Sequence, residues 1–171
     1  MALSTPLPTI RPASLDDVDR VIELLWAVAA DGRWLGTEVP FDRVVRRAGL
    51  AALVSGENGT LIVADAGGPD RGPDVVGHIT VGVASYGVAD IGMLLAEEWR
   101  GRGLGTALLE AGLDWAARAG AHKAALEVWP HNEAALALYK RAGFNEEGRK
   151  VRHYRRRSGE IWDAILMGRS L

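Results

Sequence analysis

The 171-residue chain contains no cysteine, which excludes disulfides, thiolate zinc sites and a cysteine nucleophile. Oxidative folding is unnecessary, and the cytoplasm is the expected compartment. No run approaches the roughly 18 apolar residues that a membrane span requires, and the first residues, Met1 to Pro6, lack a basic segment followed by an apolar stretch. Neither a membrane nor export is expected. The formal net charge is only −2, so the strongly basic surface that favours nucleic acid or anionic lipid is missing as well. The four histidines, His78, His122, His131 and His153, are scattered without an i, i+4 helical pair, and no metal is assigned.

Apolar residues make up 48% of the chain and charged residues 25%, ordinary values for a globular protein. The length fits one domain over residues 1–171, with residues 1–8 a flexible tail. Helix and strand patterns alternate without internal repeats, which favours a layered α/β fold. Ile10, Arg11 and Pro12 end a short strand, and Ser14 with Asp17 forms a capping-box start for a helix. Val18, Val21, Ile22, Leu25 and Val28 give that helix its apolar face. A second helix is expected over residues 41–53. Strands follow at 60–66 and 75–84, joined by a Gly/Pro/Asp turn at 67–74, and a further apolar strand covers 88–95.

That last strand runs into Glu98-Trp99-Arg100-Gly101-Arg102-Gly103-Leu104-Gly105-Thr106, and then into a helix whose buried face includes Leu104, Leu108, Ala111 and Trp115. A glycine-rich turn between strand and helix lets backbone N–H groups converge on phosphate oxygens, at the end of the helix dipole that attracts anions. Arg100 and Arg102 supply charge-assisted donors. The spacing rejects two nucleotide motifs. A dinucleotide turn counted from Gly101 requires glycine where Thr106 stands, and a nucleoside-triphosphate loop requires a lysine that this turn lacks.

The pattern Arg100-x-x-Gly103-x-Gly105 resembles the pyrophosphate loop of the GNAT superfamily of N-acetyltransferases. A second block is similar to the next strand and helix of that family: Ala124 to Trp129, then Asn132, Ala135, Leu138, Tyr139, Gly143 and Phe144. The resemblance implies a GNAT-like α/β (α+β) fold, a mixed, mostly antiparallel twisted sheet splayed at an acetyl-CoA cleft, with helices on both faces. It implies that acetyl-CoA is the cosubstrate, with the backbone of Met93, Leu94 and Leu95 on the pantetheine and thioester. Residues Arg100, Gly101, Arg102, Gly103, Leu104, Gly105 and Thr106 would hold the pyrophosphate, and Asn132 and Tyr139 would approach from the other side. A backbone N–H near Leu95 is the candidate donor to the oxyanion of the tetrahedral intermediate.

Acetyl transfer to an amine needs two proton movements. An α-ammonium with a reference pKa near ~8, or a lysine side chain near ~10.4, must lose a proton before it attacks. Glu127, in its Leu-Glu-Val setting, resembles the base proposed for bacterial ribosomal-protein alanine acetyltransferases, and Asp90 is the alternative. Glu127 is equally consistent with a structural ion pair. Tyr139 occupies the position of the family's general acid toward the departing thiolate, although its helical spacing also suits a core aromatic. Asn132 also suits a helix cap.

The family resemblance points to the segment after the first helix as the acceptor pocket: Arg33, Trp34, Thr37, Glu38 and Phe41. Their chemistry suits an amino acid, with Arg33 for a carboxylate, Glu38 for an ammonium, and Trp34 or Phe41 for an apolar side chain. The expected acceptor is the primary amine of a small molecule, an amino acid or related amine. Rival readings are a protein N-terminal α-amine acetyltransferase and, in another class, a noncatalytic acyl-CoA sensor or interaction module. A homodimer is compatible with either. The basic run from Arg149 to Arg157 is expected to be a solvated strand and turn whose charges protect a sheet edge, not an RNA surface.

Overall fold

A computed structural model describes residues 7–68, 72 and 74–171. Of the expected N-terminal tail, residues 1–6 lie outside the described residues, Leu7 is exposed and Pro8 is buried. The elements are β1 (Thr9–Pro12), α1 (Val18–Ala30), α2 (Arg43–Val54), β2 (Gly59–Asp65), β3 (Val75–Val83), β4 (Val88–Leu95), α3 (Leu104–Arg118), β5 (Lys123–Val128), α4 (Glu133–Arg141), β6 (Asn145–Arg155) and β7 (Ile161–Ser170). Among the described residues no helix is long and apolar enough to cross a membrane.

The seven strands form one sheet in the order β1-β2-β3-β4-β5-β7-β6. Alternation along β2 explains how it is covered on both faces. Leu61 and Val63 pack with Val18, Val21, Ile22 and Leu50 of α1 and α2, whereas Ile62 and Ala64 join the cluster built around Leu108, Leu109 and Leu113 of α3. Gly112 brings α3 close to the sheet: a Cβ there would stand 2.6 Å from Ile79 Cδ1. Helix α2 begins at Arg43, not at residue 41, because Asp42 caps it by accepting from Val44 and Val45 N–H at 2.9 and 3.0 Å. Phe41 stays outside and packs against Trp26, with ring centres 5.0 Å apart.

One strand pairing positions the site. All neighbours are antiparallel except β4 and β5, which run parallel and pair only over Val88–Lys123, Ala89–Ala124 and Asp90–Ala125. Beyond Asp90 the two strands separate. The expected mixed, mostly antiparallel sheet, splayed between the strand ending at Leu95 and the strand ending at Val128, is the observed one.

Candidate active site

The separation of β4 from β5 opens a cavity of about 890 Å³. Residues 91–95 of β4 form one wall, Glu127, Val128 and Trp129 the other, with the turn before α3 at one end and Trp34, Leu35 and Gly36 among the remaining lining residues. Ala96 N–H donates to Val76 O of β3 at 2.9 Å. Because ladder groups alternate in direction along a strand, Met93 and Leu95 turn their backbone polar groups the other way, toward the space that β5 has left. Backbone donors on this wall are therefore open to a ligand.

At the turn, Gly101 and Gly103 adopt φ of 72° and 83°, a region that side-chain-bearing residues rarely enter. Gly103 is the N-cap of α3, and Ala107 N–H returns to Gly103 O at 3.1 Å. The N–H groups of Leu104, Gly105 and Thr106 precede that first helical bond and have no intrahelical acceptor, so they suit an anion. Leu104 itself points into the core, 4% exposed, and anchors the helix start. Gly105 is buried against α4; a Cβ there would lie 3.2 Å from Leu138 Cδ2. Arg100 lines the cavity and donates from Nε and Nη2 to Leu95 O, both at 3.3 Å. Arg102 departs from expectation: it is absent from the cavity lining, and its guanidinium sits over Trp99 at 5.0 Å.

Helix α4 supplies the facing wall. Asn132 caps it, its side chain accepting from Ala135 N–H at 3.3 Å, and also lines the cavity. Tyr139 is 7% exposed, packs against Phe144 and lines the same space. Burial pushes its phenol up to about 12, so the hydroxyl keeps its proton and is available as a hydrogen-bond donor.

Glu127 faces the cavity from β5, but it is not alone. Lys150 Nζ donates to one carboxylate oxygen at 2.5 Å and Tyr154 Oη to the other at 2.6 Å. Tyr154 reaches it because the β6–β7 ladder passes from Lys150–Ala164 directly to Tyr154–Trp162, which leaves a bulge that Asp163 ties to Arg152 N–H at 2.7 Å. Asp90 is exposed and is not part of the cavity lining. Surrounding protein raises its carboxyl above the ordinary range, Glu127 adds to the rise, and Lys150 opposes it.

The acceptor residues expected from sequence divide. Trp34 lines the cavity, whereas Arg33 is exposed and paired with Asp31, Thr37 accepts from Arg46 at 3.4 Å, and Phe41 packs on Trp26. Glu38 turns outward to accept from Arg157 N–H at 3.1 Å. The sequence pattern missed Tyr154, His131 and Arg156. His131 Nε2 donates to Arg33 O at 2.8 Å, and its ring packs on Trp162. Arg156 corrects the reading of the basic run as solvated throughout, because it is 5% exposed. Among the described residues no three histidine or acidic side chains converge on one point.

The sequence and the fold are similar to those of known proteins. The L-amino acid N-acetyltransferase AaaT of Escherichia coli is 34% identical over 104 residues, 56% of this chain and 62% of that protein. The chain thus spans less than two thirds of that relative. An L-methionine sulfoximine/L-methionine sulfone acetyltransferase of Pseudomonas paraeruginosa is 25% identical across 82% of this chain and 81% of its own length. A phosphinothricin acetyltransferase from Sinorhizobium meliloti, solved with AcCoA, superposes with a TM-score of 0.83 at 20% identity, covering 96% of this chain and 88% of that one. With residues 20–144 matching the Acetyltransferase (GNAT) family and the splayed sheet in place around a glycine turn, the chain belongs to the GNAT family of acetyltransferases.

Proposed function

We propose that this protein transfers an acetyl group from acetyl-CoA to the primary amine of an amino acid or a related small molecule. The observation that carries the reading is the glycine turn with its free N–H groups at one end of a cavity whose walls are the parted edge of β4 and Tyr139. The donor set fits a coenzyme pyrophosphate: three backbone N–H groups at a helix start, Arg100 beside them and Arg141 on the cavity wall. When bound there, acetyl-CoA supplies the thioester carbonyl that an amine attacks directly.

The protein's own groups then have distinct tasks. The N–H of Leu95, aimed into the gap, is suited to hold a carbonyl oxygen as it gains negative charge. Tyr139, kept neutral by burial, donates a hydrogen bond to the sulfur as it leaves. Glu127 presents negative charge near the amine, with Asp90 behind it on the same sheet face. The acidic and aromatic lining, with Glu127, Tyr154, Trp34 and Trp129, suits a small cation carrying an apolar group. Relatives named for acting on L-amino acids and on L-methionine sulfone support that class.

Release of free thiol from acetyl-CoA, followed with a thiol-reactive chromogen against a panel of amino acids, polyamines and N-terminal peptides, tests the reading. The chain has no cysteine to add background. Turnover that depends on an amino acid is expected. Turnover with peptides alone would favour protein N-termini, and tight acetyl-CoA binding without release for any amine would favour a sensor.

A further inference from the structure

Loop 32–40 turns Trp34, Leu35 and Gly36 into the cavity, but no helix or strand includes this segment. It is held from outside. Arg156, just beyond β6, donates from Nη1 to Gly36 O at 3.1 Å and from Nη2 to Leu35 O at 3.0 Å. Its guanidinium lies against two indoles, 4.5 Å from the ring centre of Trp162 and 5.5 Å from that of Trp129, which itself lines the cavity. Glu38 Oε1 lies 3.6 Å from its Nε, an atom with no hydrogen-bond partner among the described residues, and supplies the countercharge.

A buried cation is costly unless paired and hydrogen-bonded, so this one needs the loop as much as the loop needs it. A planar fork suits two adjacent carbonyls and can stack on indole at the same time, which the single ammonium of lysine cannot reproduce. We infer that Arg156 is the positioning residue of the amine subsite, fixing loop 32–40 and Trp129 so that both walls meet the acceptor. It acts through those walls, since it is not itself among the lining residues. The inference rests on the proposed acetyl transfer for its kinetic part only.

Two variants and two readouts test it. In Arg156→Met, hydrogen exchange of the amides in residues 33–38 is expected to accelerate by about tenfold, with residues 100–106 unchanged. For the amine identified by thiol release, KM is expected to rise by about tenfold, while KM for acetyl-CoA and kcat stay within about threefold. Arg156→Lys is expected to fall between wild type and Arg156→Met in both readouts. Equal losses toward both substrates, or unchanged loop exchange and amine KM, would overturn the assignment. If the methionine variant does not fold, Glu38→Gln takes its place, with a rise of about threefold expected in amine KM alone and no rise counting against the inference. If no amine is acetylated, the functional reading fails, and the exchange rates still decide whether Arg156 orders the loop.

Discussion

Tyr154 donates its hydroxyl hydrogen to Glu127 across 2.6 Å, in the same site where Lys150 takes the other carboxylate oxygen. Burial works to raise the Glu127 carboxyl, but the bonds from Lys150 and Tyr154, with the charges of Lys150 and His153, outweigh it and hold the group below the usual carboxylate range. Glu127 is therefore ionised at neutral pH and is a weaker base than an ordinary glutamate. An ion pair that attracts a charged amine to the cavity describes it better than a residue that strips the amine; the ammonium proton passes to water before the neutral amine attacks.

This has a kinetic consequence. The acid limb of kcat/KM between about pH 6 and 9 should follow the ammonium pKa of the amine and shift when an amine of different basicity is used. Glu127→Gln is expected to lower kcat/KM by about tenfold while leaving that limb in place. Disappearance of the limb in the variant would restore Glu127 as the titrating base.

Tyr139→Phe isolates a single hydroxyl, because the ring contact with Phe144 survives. With the phenol pushed up to about 12, full proton transfer to a leaving thiolate is uphill, and hydrogen bonding as negative charge grows on sulfur is the expected contribution. Steady-state kcat at saturating substrates should drop by about 10²-fold, with acetyl-CoA affinity little changed by calorimetry. An unchanged kcat would remove Tyr139 from the chemistry.

Gly103 combines a φ of 83° with open space around its missing Cβ, so strain and steric blockage separate there. Gly103→Ala meets no neighbour, yet it costs about 1–2 kcal/mol in the left-handed region, which in a domain of this size lowers Tm by about 2–8 °C. Where the helix start shifts to relieve that strain, the N–H groups of residues 104–106 lose their aim. Calorimetry should then show acetyl-CoA binding weakened by about tenfold, and full affinity at reduced Tm would dissociate this turn from the pyrophosphate.

The parts of the site that were legible in the sequence are those set by local backbone chemistry. Gly101 and Gly103 favour glycine through their own φ, and the strand 88–95 is marked by its apolar run. What escaped depends on distant partners. Tyr154 meets Glu127, 27 residues away, only because extra residues bulge out of β6. Arg156 looks solvated within its basic run and is buried by a loop 120 residues earlier in the chain. Of the residues singled out between Arg33 and Phe41, only Trp34 lines the cavity. The facing of that segment was not legible, since the bonds from His131, Arg156 and Arg157 decide that Trp34 turns inward and Glu38 outward.

Asp17 offers a test of the fold away from the cavity. It is 1% exposed and accepts from both terminal nitrogens of Arg11 at 2.7 and 2.8 Å, while Arg11 also bonds Asp65 at 2.6 Å. The Arg11 bonds, against the opposing effect of burial and aided by Ser14, lower the Asp17 carboxyl to about 2. Its folded pKa lies below the unfolded reference of about 3.9, so the stabilisation is complete above about pH 5 and is lost as pH falls toward 2. Asp17→Asn should therefore cost about 2 kcal/mol at pH 7, and about half as much at pH 3, where the wild-type unfolded chain already holds this proton. Urea unfolding of both proteins at the two pH values measures the gap. A gap that stays the same at pH 3 would mean that the loss comes from packing at the start of α1 and not from the charge on Asp17.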